Sequence, residues 1–187
     1  RLILLHGWGA DAEDLIPLGA MIQKGLKKNI EVISLRAPDQ HPQGIGRQWY
    51  GLFPPDWMQV PDAINSLQIR VKSLSTQKIN LEKTVILGFS QGGAMALASG
   101  SNLPVAGIIA CSAYPHPNWN MPSKMPPILL THGKNDEVVP FQAMEKINQL
   151  LKEQNFEVDA EMFDGGHEIP LTLVPRIMES LEKWLIN

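Results

Sequence analysis

Three residues in one chain order could perform nucleophilic acyl chemistry. They are Ser90 within Gly88-Phe89-Ser90-Gln91-Gly92, Asp136 within HGKNDEVVP and His167 within FDGGHEIP. A serine hydroxyl attacks a carbonyl only when a base removes its proton, and the base needs an acid to fix its tautomer and stabilise the imidazolium. An apolar run leads into the G-x-S-x-G segment and the small-residue stretch Gln91–Gly100 leads out of it. The serine therefore falls on a sharp strand-to-helix turn, where side chains at Gly88 or Gly92 would collide with the neighbouring chain. That turn lifts the Ser90 hydroxyl above a sheet. It also aims the Gln91 amide, at the new helix's N-terminus, toward a developing negative charge.

The base must come from five histidines: His6, His41, His116, His132 and His167. His167 follows the last strand-like run, behind Gly165-Gly166, with a helical pattern just beyond it. His6 and His132 stand at strand ends before glycine and are expected to brace loops by hydrogen bonding. Asp136 follows the strand before the last, with Glu137 as its nearest rival and Asp164 as a weaker one. Ser, Asp, His is the chain order expected on an α/β-hydrolase scaffold.

LILLHGWGADAEDL, residues 2 to 15, admits two readings. As G-x-G-x-x-A after a strand it is a dinucleotide cradle, which would make the chain an oxidoreductase. As His-Gly-x-Gly after a strand it is one wall of an oxyanion hole, with the Trp8 amide as donor. A dinucleotide fold expects an acidic residue at the end of the next strand; here Glu31 begins that strand and Arg36 ends it. A dehydrogenase would also leave the serine turn and the ordered Asp and His without a purpose. The oxyanion reading is preferred. A binding protein without catalysis is disfavoured, because all three residue types are present.

These residues need elements to position them. Strand candidates are Leu2–Leu5, Ile30–Leu35, Thr84–Phe89, Val105–Cys111, Ile128–Thr131 and Glu157–Phe163. The central ones are almost continuously apolar, as in parallel strands covered on both faces. Amphipathic stripes lie between them: Ile64, Leu67, Val71 and Leu74; Phe141, Met144, Ile147 and Leu151; and Leu171, Val174, Met178, Leu181 and Leu185. All three are expected to face the core, with Pro170 in the first turn of the last helix. Alternating strands and helices give a three-layer, mostly parallel α/β sheet in one domain over residues 1–187. The long irregular segment from Ala37 to Pro61 holds five prolines and the aromatics Trp49, Tyr50, Phe53 and Trp57. Loops of that length are usually functional, so these four are candidates for shaping a substrate pocket; simple packing beneath the loop is the alternative. Tyr114 to Pro127 is a second proline-rich patch.

Composition closes off other classes. The 187 residues are 44% hydrophobic and 19% charged with net charge -3, and the lack of a basic excess argues against nucleic acid as a partner. The single cysteine, Cys111, forbids an internal disulfide and any cysteine zinc cluster, and it reads as a small buried apolar residue. Neither a metal nor an organic cofactor is expected. No apolar run approaches the roughly 18 residues that span a bilayer, and without a signal peptide the expected location is cytoplasmic. Arg1 opens directly onto a strand-like run, an abrupt beginning that leaves room for residues before it. Five tryptophans and eight methionines could furnish an apolar face for a homodimer or lipid contact.

HGWG, RAP followed by a glycine-rich QWY segment, GFSQGG, HGKNDEVVP and GGHEI together resemble the phospholipase/carboxylesterase family of α/β-hydrolases. That group includes acyl-protein thioesterases and bacterial carboxylesterases. The motifs run in the family's order from residue 2 to residue 169. The resemblance implies an α/β-hydrolase sheet of about six or more strands without the family's first strands. Ser90 would be nucleophile, Asp136 acid and His167 base, with the Trp8 and Gln91 amides in the oxyanion hole. It implies a carboxylic ester as small-molecule substrate, with thioesterase or lysophospholipase activity as the alternative. Two departures stand out: Trp8 replaces the family's usual Leu, and Glu137 follows the acid where Pro is common.

Overall fold

The computed structural model describes residues 1–185. In chain order the elements are β1 (Leu2–Leu5), α1 (Ile16–Gly25), β2 (Val32–Leu35), β3 (Asp39–Gln40), β4 (Arg47–Gln48), α2 (Val60–Ser73), β5 (Val85–Phe89), α3 (Gln91–Gly100), β6 (Gly107–Cys111), β7 (Ile128–Gly133), α4 (Gln142–Glu153), β8 (Val158–Phe163) and α5 (Val174–Leu185). Six strands form one sheet in the order β2-β1-β5-β6-β7-β8, every pair parallel. β3 and β4 make a small antiparallel ladder inside the long irregular segment.

The continuous apolar runs are explained by two cores. Successive residues of a strand point to opposite faces. Ile3 and Leu5 of β1 therefore join one core with Ile86, Ile108 and Leu130, covered by α2, α3 and α4. Leu2 and Leu4 join the other with Leu87, Ile109 and Leu129, covered by α1 and α5. Cys111 is fully buried in this second core. Small residues let α3 lie close to the sheet, where all ten of its residues are buried.

Several expectations at element ends are corrected. β2 and β6 each begin two residues later than the apolar runs suggest, and β7 continues to Gly133, paired with Phe163. Pro170 has extended backbone and caps a 3-10 turn at Leu171–Leu173, with α5 beginning only at Val174. Leu171 is consequently off the helical stripe and 69% exposed rather than core-facing. No helix among the described residues is long and apolar enough to cross a membrane.

The strand order places the site. From β1 the chain steps outward to β2 and then returns to the other side of β1 for β5. A crevice opens beyond the carboxyl ends of strands at such a reversal. His6-Gly7-Trp8 leaves β1 there and Ser90 leaves β5 there, while the loops after β7 and β8 carry Asp136 and His167.

Candidate active site

Ser90 sits between β5 and α3 with φ 56° and ψ −119°, a backbone region that a non-glycine residue rarely occupies. The surroundings enforce it. A Cβ on Gly88 would land in the Gly92 carbonyl group, and one on Gly92 would strike the Leu5 and His6 carbonyl oxygens. The Ser90 amide donates to Cys111 O at 2.8 Å, and Ser90 O accepts from the Ala94 amide at 3.0 Å, tying the turn to β6 and α3.

Ser90, His167 and Asp136 form one hydrogen-bonded line. His167 Nδ1 is 2.7 Å from Asp136 Oδ2, and its Nε2 is 2.9 Å from Ser90 Oγ. A carboxylate only accepts, so Nδ1 carries the proton and Nε2 is left to accept from the serine hydroxyl. Asp136 Oδ1 accepts the Val138 and Val139 amides at 2.9 and 2.8 Å. Burial would raise the Asp136 carboxyl, but the His167 hydrogen bond and the two valine amides outweigh it and hold the group below the ordinary carboxylate range. The loops that carry acid and base are fastened together: the Lys134 amide donates to Phe163 O at 2.9 Å and the Asn135 amide to Gly165 O at 3.0 Å. The rival carboxylates lie elsewhere. Glu137 is exposed, and Asp164 pairs with Lys134 at the surface.

The other histidines hold loops. The Ala37 amide donates to His6 Nε2 at 3.0 Å, so His6 Nδ1 carries the proton and donates to Gly7 O at 2.7 Å. Burial lowers the His6 pKa, so it stays neutral. His132 Nε2 donates to Val139 O at 2.9 Å and lies 3.3 Å from Asp136 Oδ2. His132 thus holds the Val139 carbonyl beside the acid, while His167 is the imidazole that hydrogen-bonds the carboxylate.

Two backbone amides beside the serine turn, those of Trp8 and Gln91, are without hydrogen-bond partners among the described residues. Gln91 is the first residue of α3, where no preceding turn supplies a carbonyl, and the Trp8 amide makes no hydrogen bond among the described residues. The Trp8 turn is held by the long segment: the Gly9 amide donates to Arg47 O and the Arg47 amide to Ala10 O, each at 2.8 Å. Trp8 Nε1 donates to Gln48 Oε1 at 2.9 Å. Gly46, at φ 76°, permits this approach, since a Cβ there would land in the Gly9 carbonyl group.

A cleft of about 690 Å³ opens over Ser90 and His167, walled mainly by apolar side chains. Trp8, Phe53 and Trp57 line it, with the Phe53 ring packed edge-on against Trp8 at 5.0 Å. Trp49 and Tyr50 do not. Both are buried below, where Trp49 Nε1 donates to His6 O at 2.9 Å and the Tyr50 hydroxyl meets Tyr114 and His116. Irregular backbone has no fixed period, so sequence could not separate the two aromatics that point down from the two that face the cleft. Tyr114, also on the cleft wall, went unrecognised, although its position after β6 in a proline-rich patch was the available signal. Among the described residues no three His, Cys, Asp or Glu side chains converge as a metal would require.

With this geometry in place, relatives are informative. The chain matches the Phospholipase/Carboxylesterase family over residues 1–185. It belongs to that family. Its named relatives and structural neighbours are carboxylesterases and acyl-protein thioesterases, consistent with a carboxylic ester hydrolase. Acyl-protein thioesterase 1 of Neurospora crassa is 36% identical over 121 residues, which cover 57% of this chain and 48% of that protein. The probable carboxylesterase SOBER1-like of Arabidopsis thaliana is 24% identical over 98% of this chain and 77% of its own length. Among solved structures, esterase PE8 is 27% identical, with a TM-score of 0.88 over 98% of this chain and 92% of that one.

Proposed function

We propose that the chain hydrolyses carboxylic esters of small to medium acyl groups by two-step acyl transfer, with Ser90 as nucleophile, His167 as base and Asp136 as acid. The observation that carries this reading is the hydrogen-bonded line Asp136–His167–Ser90 beneath an apolar cleft, with the Trp8 and Gln91 amides free of other partners among the described residues. Ser90 Oγ attacks the ester carbonyl while His167 Nε2 takes its proton. The Trp8 and Gln91 amides hold the oxyanion. Collapse expels the alcohol, protonated by His167, and leaves an acyl-Ser90 ester. Water, deprotonated by His167, then attacks that ester, releasing the acid and restoring the serine. The aromatic wall at Trp8, Phe53 and Trp57 supports an apolar acyl group of small to medium size.

A thioester is the second reading, favoured by the similarity to a fungal acyl-protein thioesterase; the same serine attack serves oxygen and sulfur esters. The test is hydrolysis of p-nitrophenyl esters of increasing chain length, with a thioester and a lysophospholipid in parallel, by the protein and by Ser90→Ala. Esters cut faster than the other two, with activity lost in the variant, support the first reading. Equal hydrolysis by the variant would sink it.

A further inference from the structure

The cleft wall is apolar almost throughout, yet the Tyr114 side chain lines it and is tied into a buried chain of polar groups. The Tyr114 and Tyr50 hydroxyls are 2.7 Å apart, and Tyr50 Oη is 2.8 Å from His116 Nε2. His116 is buried and its Nδ1 has no partner among the described residues. Burial pushes its pKa down to about 4, so it is neutral and bears one N–H.

That single proton decides the direction of the chain. On Nδ1 it would be an orphaned buried donor, which proteins avoid more strictly than an orphaned acceptor. On Nε2 it donates to Tyr50 Oη. Tyr50 must then direct its own hydrogen to Tyr114 Oη, because a hydroxyl has only one to give. Tyr114 has no further protein acceptor among the described residues, so its hydrogen is left for the cleft.

We propose that Tyr114 is a specificity residue whose hydroxyl donates a hydrogen bond to the substrate, so that the cleft selects esters bearing a second acceptor oxygen near the scissile bond, and that His116 is the positioning residue that sets this direction through Tyr50. The proposal rests on the Ser90 esterase reading above and names a substrate class within it. Burial keeps Tyr114 itself from ionising, its pKa pushed up to about 12 against the opposing pull of the Tyr50 hydrogen bond, so it acts as a donor and not as a base.

Matched ester pairs that differ by one oxygen for one methylene provide the test. p-Nitrophenyl methoxyacetate against butyrate places the oxygen in the acyl group. 2-Methoxyethyl butyrate against butyl butyrate places it in the alcohol. The readout is the kcat/KM ratio of oxygen ester to alkyl ester within each pair. Tyr114→Phe should lower that ratio three- to tenfold in at least one pair, the range of one neutral hydrogen bond. His116→Leu should lower it in the same pair, while His116→Gln, whose amide can still donate to Tyr50, should restore most of it. Ratios unchanged in both pairs for Tyr114→Phe would overturn the proposal. Failure of the unsubstituted protein to hydrolyse any of the four esters through Ser90 would overturn the esterase reading itself, and the proposal with it.

Discussion

Gln91 Oε1 accepts the Trp49 amide at 3.0 Å, while Gln91 Nε2 donates to Tyr50 O at 2.8 Å. The side chain behaves as a stretch of strand edge, pairing with the long irregular segment as backbone would. The residue next to Ser90, whose amide is proposed to hold the oxyanion, therefore also fastens the segment that holds Trp8. Gln91→Ala would leave the Trp49 N–H and the Tyr50 carbonyl buried without partners, at about 1–3 kcal/mol each. A lower Tm and a lower kcat are expected together, read by thermal unfolding and ester turnover. A kcat loss with unchanged Tm would refute the clamp.

Asp136→Asn should cut kcat by about 10³–10⁴, because an amide at that position does not hold the imidazole in its working tautomer. Glu137 is exposed and its carboxylate hydrogen-bonds none of the three, so Glu137→Gln should remain near full activity. Steady-state kinetics of the two variants decide between the carboxylates; the reverse ranking would move the acid role to Glu137.

The Trp8 ring forms cleft wall, fixed by Gln48 and packed on Phe53. Trp8→Leu retains the backbone amide while opening that wall. The ratio of kcat/KM for octanoate over butyrate esters should rise severalfold, since each newly buried methylene contributes about 0.8 kcal/mol. An unchanged chain-length profile would show that Trp8 does not limit the acyl group.

His116 carries a pH signature. Its pKa is lowered from 6.5 to about 4 by burial. Between those values the unfolded chain binds the proton and the folded one does not, so stability rises with pH across this window. Acidifying from pH 7 to 4.5 should cost roughly 2–3 kcal/mol through this group. Denaturant unfolding at both pH values should show a smaller loss for His116→Gln than for the parent. His6, also lowered by burial, contributes a slope that survives in the variant.

Much of the site was legible because its demands are local. Gly88 and Gly92 have to be glycine where α3 crosses the end of β1, and the six strands announce themselves because each is buried on both faces. Asp136 and His167 were placed by strand order alone. What escaped was long-range. That the Gln91 side chain pairs with Trp49, or that Gly46 admits the Gly9 carbonyl, depends on a fold-back of more than thirty residues that leaves no period in the sequence. Leu171 fitted a helical spacing, yet the 3-10 turn after Pro170 rotates it to the cleft rim, so spacing alone assigned it to the core.

Covalent capture at Ser90 bears most directly on the proposed mechanism. The protein mixed with excess p-nitrophenyl ester is quenched in acid within the first turnover, digested, and read by mass spectrometry. An acyl mass on the peptide containing Ser90, absent from Ser90→Ala, is the predicted result. An acyl group on another residue, or turnover with the same label in the variant, would contradict it.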